Sequence, residues 1–246
     1  MLKIKEFTFV NDCFQHKSNA VFGVFLQRLI NKNMERMHEL ETTLELIKPD
    51  VDKRINDFKS LWINADEKKL FQELAFCLLT PQSKAQNAWK TVLILTDNNL
   101  LFTGQANEIS GYLNYVRFKN NKARYIVKAR EQFFNSNEGI RETLLKLSSV
   151  KEKREWLLKN ITGYGMKEAS HFLRNIGFVE DVAILDRHIL RNLINYNVIA
   201  EIPKLLTLQK YYEIENKMKH FTKTVNISLA YLDFIFWYNA KNDLFK

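Results

Sequence analysis

Lys167 and Asp186 are the two residues whose type and setting suit covalent chemistry best. A lysine amine can attack an electrophilic carbon, and a nearby carboxylate can steady the cation that develops there. Lys167 falls in the first turn of a helix expected after the turn Gly163-Tyr164-Gly165. The positive end of the helix dipole disfavours an ammonium there, and so favours the free amine a nucleophile needs. Nineteen residues on, Leu185-Asp186-Arg187-His188 opens a further helix, with Ile189, Leu190, Leu193 and Ile194 as its apolar face. Asp186 is its N-cap, and backbone N–H bonds to a capping carboxylate favour the ionised form. Taken singly, Lys167 reads as a solvated surface residue and Asp186 as a simple cap, although capping and catalysis are compatible in one carboxylate.

The turn before Lys167 adds a second kind of chemistry. Ala169, Phe172, Leu173 and Ile176 recur at helical spacing, and Gly177 ends the pattern. Gly163 and Gly165 therefore sit in a hairpin between two helices, where missing side chains let the backbone approach a phosphate and free N–H groups at the helix start point at the anion. Contacts of this sort position nucleic acid without reading its sequence. An ordinary interhelical turn explains the two glycines equally well on their own. His171 and Arg174 fall on the side of the helix away from the apolar stripe, so a polar, basic face is expected to continue from the hairpin.

The elements that must position these residues read as helices. Seven glycines and three prolines in 246 residues disfavour strand-and-turn architectures, and the composition suits an all-α chain with a substantial core. Leu70, Phe71, Leu74, Ala75 and Leu78 form a wide apolar stripe on a core helix, with Cys77 inside it, that ends near Thr80-Pro81. Ser83-Lys84-Ala85-Gln86 matches a capping box for the next helix, leaving Pro81-Gln82 as an exposed turn. Residues 120–134 form a helix with Ala123, Ile126, Val127 and Phe134 inward and Lys119, Lys122, Arg124, Lys128 and Arg130 outward. Further helices are expected over 141–147, 151–160, 211–221 and 226–238. Pro49 predicts a break between two helices within 35–58. Residues 21–30 fit either a helix or a buried strand.

A net charge of +9 and a pI near 9.4 make a polyanionic partner plausible, nucleic acid ahead of an anionic membrane, although a merely solvated basic surface is as common. Cys13 and Cys77 alone supply neither a disulfide framework nor a four-cysteine metal site. The amino-terminal residues lack a signal-peptide core and no run is apolar enough to span a membrane, so a soluble intracellular protein is expected.

The spacing Gly-x-Gly-x-Lys with a capping Asp resembles the helix-hairpin-helix DNA glycosylase superfamily. KEASHFLRNIG followed by LDRH is similar to the archaeal-type 8-oxoguanine DNA glycosylase/AP lyases. That resemblance runs from about Ile47 to the carboxyl terminus and includes DKRINDFKSLW, LAFCLLTPQSKA, VRFKNNKARYIV and EIPKLLTLQKYYEIE. It implies a two-lobed helical fold with the active site between lobes: 66–177 as one lobe ending in the hairpin, 46–65 with 178–246 as the other, and 1–45 as an extension of open role.

The resemblance also implies residue roles. Lys167 would be the Schiff-base lysine and Asp186 the catalytic aspartate. Gly163, Gly165 and His188 would contact the DNA backbone. Gln82 would fill the gap left by an extruded nucleotide, with Arg117 and Phe118 beside the unpaired base. Lys246 and Trp237 would help to form the base pocket. The implied partner is duplex DNA containing oxidised guanine, met by a monomer that requires no cofactor, a monovalent cation held by the hairpin carbonyls being possible. With no cysteine after Cys77, the iron–sulfur branches of the superfamily are set aside. The alternatives are a non-catalytic DNA-binding module, or a lyase acting mainly on abasic sites or oxidised pyrimidines.

Overall fold

The structure is a computed structural model describing residues 20–134 and 138–245, with side chains described from residue 27 except at residue 29. Two compact units divide the chain, Met1–Leu40 and Glu41–Lys246, and the functional geometry below lies in the second. The described residues form twelve helices: α1 (Ala20–Asn64), α2 (Glu67–Leu79), α3 (Ala85–Asp97), α4 (Leu100–Thr103), α5 (Ala106–Tyr112), α6 (Lys119–Phe134), α7 (Ile140–Leu145), α8 (Val150–Asn160), α9 (Met166–Asn175), α10 (Arg187–Asn195), α11 (Leu208–Val225) and α12 (Leu229–Lys241). No strand occurs among the described residues.

Residues 21–30, ambiguous by pattern, lie in α1, and that helix runs straight through Pro49. The expected break is absent for a physical reason. Pro49 faces solvent, where water satisfies the carbonyl that its missing N–H abandons. Thr43, Ile47, Val51, Ile55 and Phe58 are all buried on the opposite side at helical spacing. Tertiary burial of that stripe outweighs the local penalty.

α2 is the centre of the second unit. Every residue from Leu70 to Leu79 is buried, and the helix packs on α3, α6, α7 and α9. Its N-cap is Asp66, whose carboxylate accepts the Lys69 N–H at 2.8 Å. Cys77 is fully inside this core. α10 and α11 both pack on α12, an aromatic-rich helix buried from Leu232 to Phe236.

Two expectations about α6 and its neighbours are corrected. Lys122 and Arg130 are buried rather than outward, because each finds oxygen acceptors inside: Arg130 Nη1 donates to Gly104 O at 2.8 Å, and Lys122 donates to the turn after α2. Ser83 does not cap α3. The N-cap is Lys84, without a side-chain bond, and the Ser83 hydroxyl is engaged by the Arg117 N–H and by Lys122.

The segment leading into Asp186 is pinned by α11. Glu215 accepts the Ala183 N–H at 2.8 Å, and the Tyr211 hydroxyl donates to Ala183 O at 2.7 Å and accepts the Leu185 N–H at 3.1 Å. Glu215 in turn forms a buried two-point pair with Arg154, at 2.6 and 2.8 Å, which also brings Ser170 of α9 into the network. Removing one member strands a buried charge, so Glu215→Ala is expected to lower stability by about 3–5 kcal/mol. Urea unfolding checks this through a fall in midpoint at constant slope.

Candidate active site

α8 ends at Asn160 and α9 begins at Met166, and the hairpin between them turns on Gly163. Gly163 has φ of +97°, and a Cβ there would overlap the Tyr125 ring, so both backbone and packing require glycine. Gly165 is extended, at φ −107°, and its N–H donates to Glu168 Oε2 at 3.2 Å. Of the two glycines, only Gly163 is needed for its backbone conformation.

Lys167 follows in the first turn of α9 with its side chain 27% exposed, and its ammonium lies 3.1 Å from Glu168 Oε1. Glu168 thus links the hairpin backbone to the lysine. Asp186 caps α10 as the sequence predicts: Oδ1 accepts the N–H groups of His188 and Ile189 at 2.7 and 2.9 Å.

Both residues open onto one cleft of about 830 Å³. Gln82, Arg117, His188 and Trp237 line it as well, so the fold gathers six of the residues singled out by sequence. Gly163, Gly165 and Phe118 lie outside its lining. Phe118 is 54% exposed at a left-handed backbone position, φ +60°, beside the Arg117 guanidinium. Gln82 is exposed and also left-handed, at φ +55°. Lys246 lies outside the described residues.

The cleft has further polar groups that the sequence reading did not assign to it. His171 and Arg174 belong to a polar face as expected, but that face is buried and turned into the cleft. The Arg174 guanidinium lies 5.0 and 5.2 Å from the ring centroids of Phe58 and Phe234 and meets Asp233 Oδ2 at 3.4 Å. Asp233 Oδ1 has no hydrogen-bond partner. Burial pushes the Asp233 carboxyl up to about 6, with Asp186 adding to the rise and Arg174 opposing it. The signal that could have found Asp233 is its isolation: it is the one acidic residue in LAYLDFIFWYNAK.

Across the cleft, Trp237 meets His188 edge to face at 5.6 Å, and its indole N–H is buried without a partner. Burial holds the His188 imidazole below its ordinary range; Lys241, Arg187 and Arg191 push the same way against Asp186. The segment after α12 returns to the cleft, where Asp243 accepts from Gln86 at 2.5 Å and Phe245 packs edge to face on Phe76.

Fold and site together define an all-helical protein in which a Gly-x-Gly hairpin delivers a lysine to a cleft shared with a capping aspartate. Residues 51–227 match the family model for 8-oxoguanine DNA glycosylase, and the chain belongs to that family. The 8-oxoguanine DNA glycosylase/AP lyase of Fusobacterium nucleatum is 45% identical over 216 residues, covering 87% of this chain and 100% of that protein. Its namesake in Methanocaldococcus jannaschii is 43% identical over 202 residues, covering 81% and 93%. Among solved structures, the M. jannaschii 8-oxoguanine glycosylase/lyase in complex with a 15mer DNA containing 8-oxoguanine superimposes with a TM-score of 0.78 at 38% identity, covering 86% of this chain and 100% of that one. The Thermotoga maritima 8-oxoguanine DNA glycosylase gives a TM-score of 0.76 at 32% identity, covering 87% and 100%.

Proposed function

We propose that this protein excises 8-oxoguanine from duplex DNA and then cleaves the strand by β-elimination, with Lys167 as nucleophile and Asp186 as its electrostatic partner. The observation that carries the residue assignment is the convergence of these two side chains on one cleft beside the hairpin. The target nucleotide must leave the base stack for its glycosidic bond to be reached.

The Lys167 amine attacks C1′ as the bond from C1′ to the base breaks, and the departing base takes the bonding pair and a proton. Asp186, held by two backbone N–H donors, offsets the positive charge that gathers on the sugar. Loss of the amine proton and opening of the C1′–O4′ bond leave an imine between Lys167 and the sugar. A proton then departs from C2′ as the C3′–O3′ bond breaks, releasing the phosphate. These steps use side chains alone and call for no organic cofactor.

Gln82 and Arg117 sit on the cleft rim, where they suit the gap and the unpaired base, with Phe118 on the adjoining loop. Trp237 supplies a flat wall for the flipped base, and Lys246, next in sequence after the cleft residue Phe245, helps to recognise that base. The hairpin around Gly163 and Gly165 grips the DNA backbone, with His188 near the flipped nucleotide, and its carbonyls are the site for a monovalent cation. Residues 66–177 act as one lobe and 46–65 with 178–246 as the other, with 1–45 as an extension. The enzyme acts as a monomer on DNA inside the cell. No helix among the described residues is long and apolar enough to cross a membrane.

The reading is tested on two duplexes that differ only at one base, 8-oxoguanine or guanine opposite cytosine. Strand cleavage confined to the damaged duplex is expected. Binding to both without base release from either contradicts the reading.

A further inference from the structure

Lys122 is the most deeply buried lysine described in the protein, 3% exposed, yet it touches none of the reacting groups assigned above. Its stem enters the core with Ala123 and Ile126, and its ammonium emerges beneath the turn between α2 and α3. There it donates to Leu79 O at 2.8 Å, Pro81 O at 2.6 Å and Ser83 Oγ at 3.2 Å. Three protons meet three oxygens, so the group is saturated. The Leu79 carbonyl is that of the last residue of α2, where a positive charge is favoured by the helix dipole, and the Pro81 carbonyl belongs to the turn that follows.

The turn that Lys122 holds is not one the sequence would adopt unaided. Gln82, within it, has a positive φ, a conformation that costs a non-glycine residue and persists only when the surroundings enforce it. Ser83 Oγ is also the acceptor for the Arg117 N–H at 3.1 Å, and Phe118 next to Arg117 is the second left-handed residue of the pair of loops. One ammonium therefore fastens the turn bearing Gln82 and, through Ser83, the loop bearing Arg117. Burial, with the charge of Lys167 adding, pushes the Lys122 amine down to about 8, which leaves the third proton in place at neutral pH.

Building on the proposed function, we infer that Lys122 is a positioning residue that locks the two rim loops into the single rigid wedge holding duplex DNA open around the extruded nucleotide. Its role lies in extrusion and gap filling, and not in the chemistry at C1′. A loosened wedge therefore penalises a paired substrate, whose nucleotide must be flipped, and spares a substrate with nothing to flip.

The test uses the full chain and two substrates: a duplex with 8-oxoguanine opposite cytosine, and a single-stranded oligonucleotide with one abasic site. Single-turnover cleavage is measured for the native protein, Lys122→Met and Ser83→Ala. Methionine keeps the buried stem but removes the ammonium from both carbonyls, leaving Pro81 O only the Ser83 hydroxyl at 3.4 Å. Lys122→Met is expected to lower duplex cleavage by about 10- to 100-fold, the scale of losing charge-assisted hydrogen bonds, while abasic single-strand cleavage stays within about threefold. Ser83→Ala, which cuts only the link between the loops, is expected to show the same selectivity at about 3- to 10-fold.

Equal losses on the two substrates, or no loss on the duplex, overturn the positioning role. Should Lys122→Met fail to fold, Ser83→Ala decides: an unchanged ratio of duplex to single-strand rates overturns it. Native protein that cleaves neither substrate overturns the underlying enzymatic reading, a result distinct from an active native protein whose variants keep their ratio.

Discussion

Lys167→Gln is expected to bind damaged duplex DNA and to cleave it at least about 1,000-fold more slowly than the native protein, the scale on which losing a nucleophile acts. Sodium borohydride should trap no covalent complex with it. Glutamine is one bond shorter but keeps the side chain polar at a position about one quarter exposed, so the hairpin and α9 should remain intact. Retained affinity with lost turnover separates an enzyme from a backbone-gripping module. In a module, the same change would weaken binding in a salt-dependent way and leave nothing else to lose. Gel retardation beside single-turnover cleavage measures both quantities on the same duplex.

Asp186→Asn is expected to lower base excision by about 100- to 1,000-fold, the range seen when one electrostatic stabiliser is removed from a transition state. The substitution distinguishes the two roles the aspartate combines. Asparagine is as good an N-cap as aspartate, so the bonds from His188 and Ile189 survive and stability should change by less than about 1 kcal/mol. The charge alone is lost. A thermal unfolding scan beside the excision assay checks both halves. A large fall in stability with a proportionate fall in activity would make capping the whole of its function.

Much of this site was legible in the sequence because its signals are local. Gly163 announces a left-handed turn, Lys167 occupies the first turn of the helix that follows, and Asp186 caps the next one, and each of these is fixed within a few residues of chain. The helical class of the fold followed from apolar spacing in the same way, as in the stripe from Leu70 to Leu78. What was hidden depends on partners distant in sequence. Lys122 looks like a surface lysine until Leu79 and Pro81, more than forty residues earlier, supply its acceptors. The outward placement overlooked that the buried Ile126, Ala129 and Phe133 recur at helical spacing from Lys122. Asp233 and Arg174 find each other across 59 residues. Pro49 misled for the same reason: the local rule is sound, and burial along the rest of α1 overrides it.

The central claim is that a particular amine becomes covalently joined to the damaged strand. Native protein incubated with duplex DNA carrying 8-oxoguanine opposite cytosine, in the presence of sodium borohydride, should yield a stable complex whose peptide mass places the sugar remnant on Lys167. A remnant on another amine such as Lys122, or base release without any trapped complex, would contradict it.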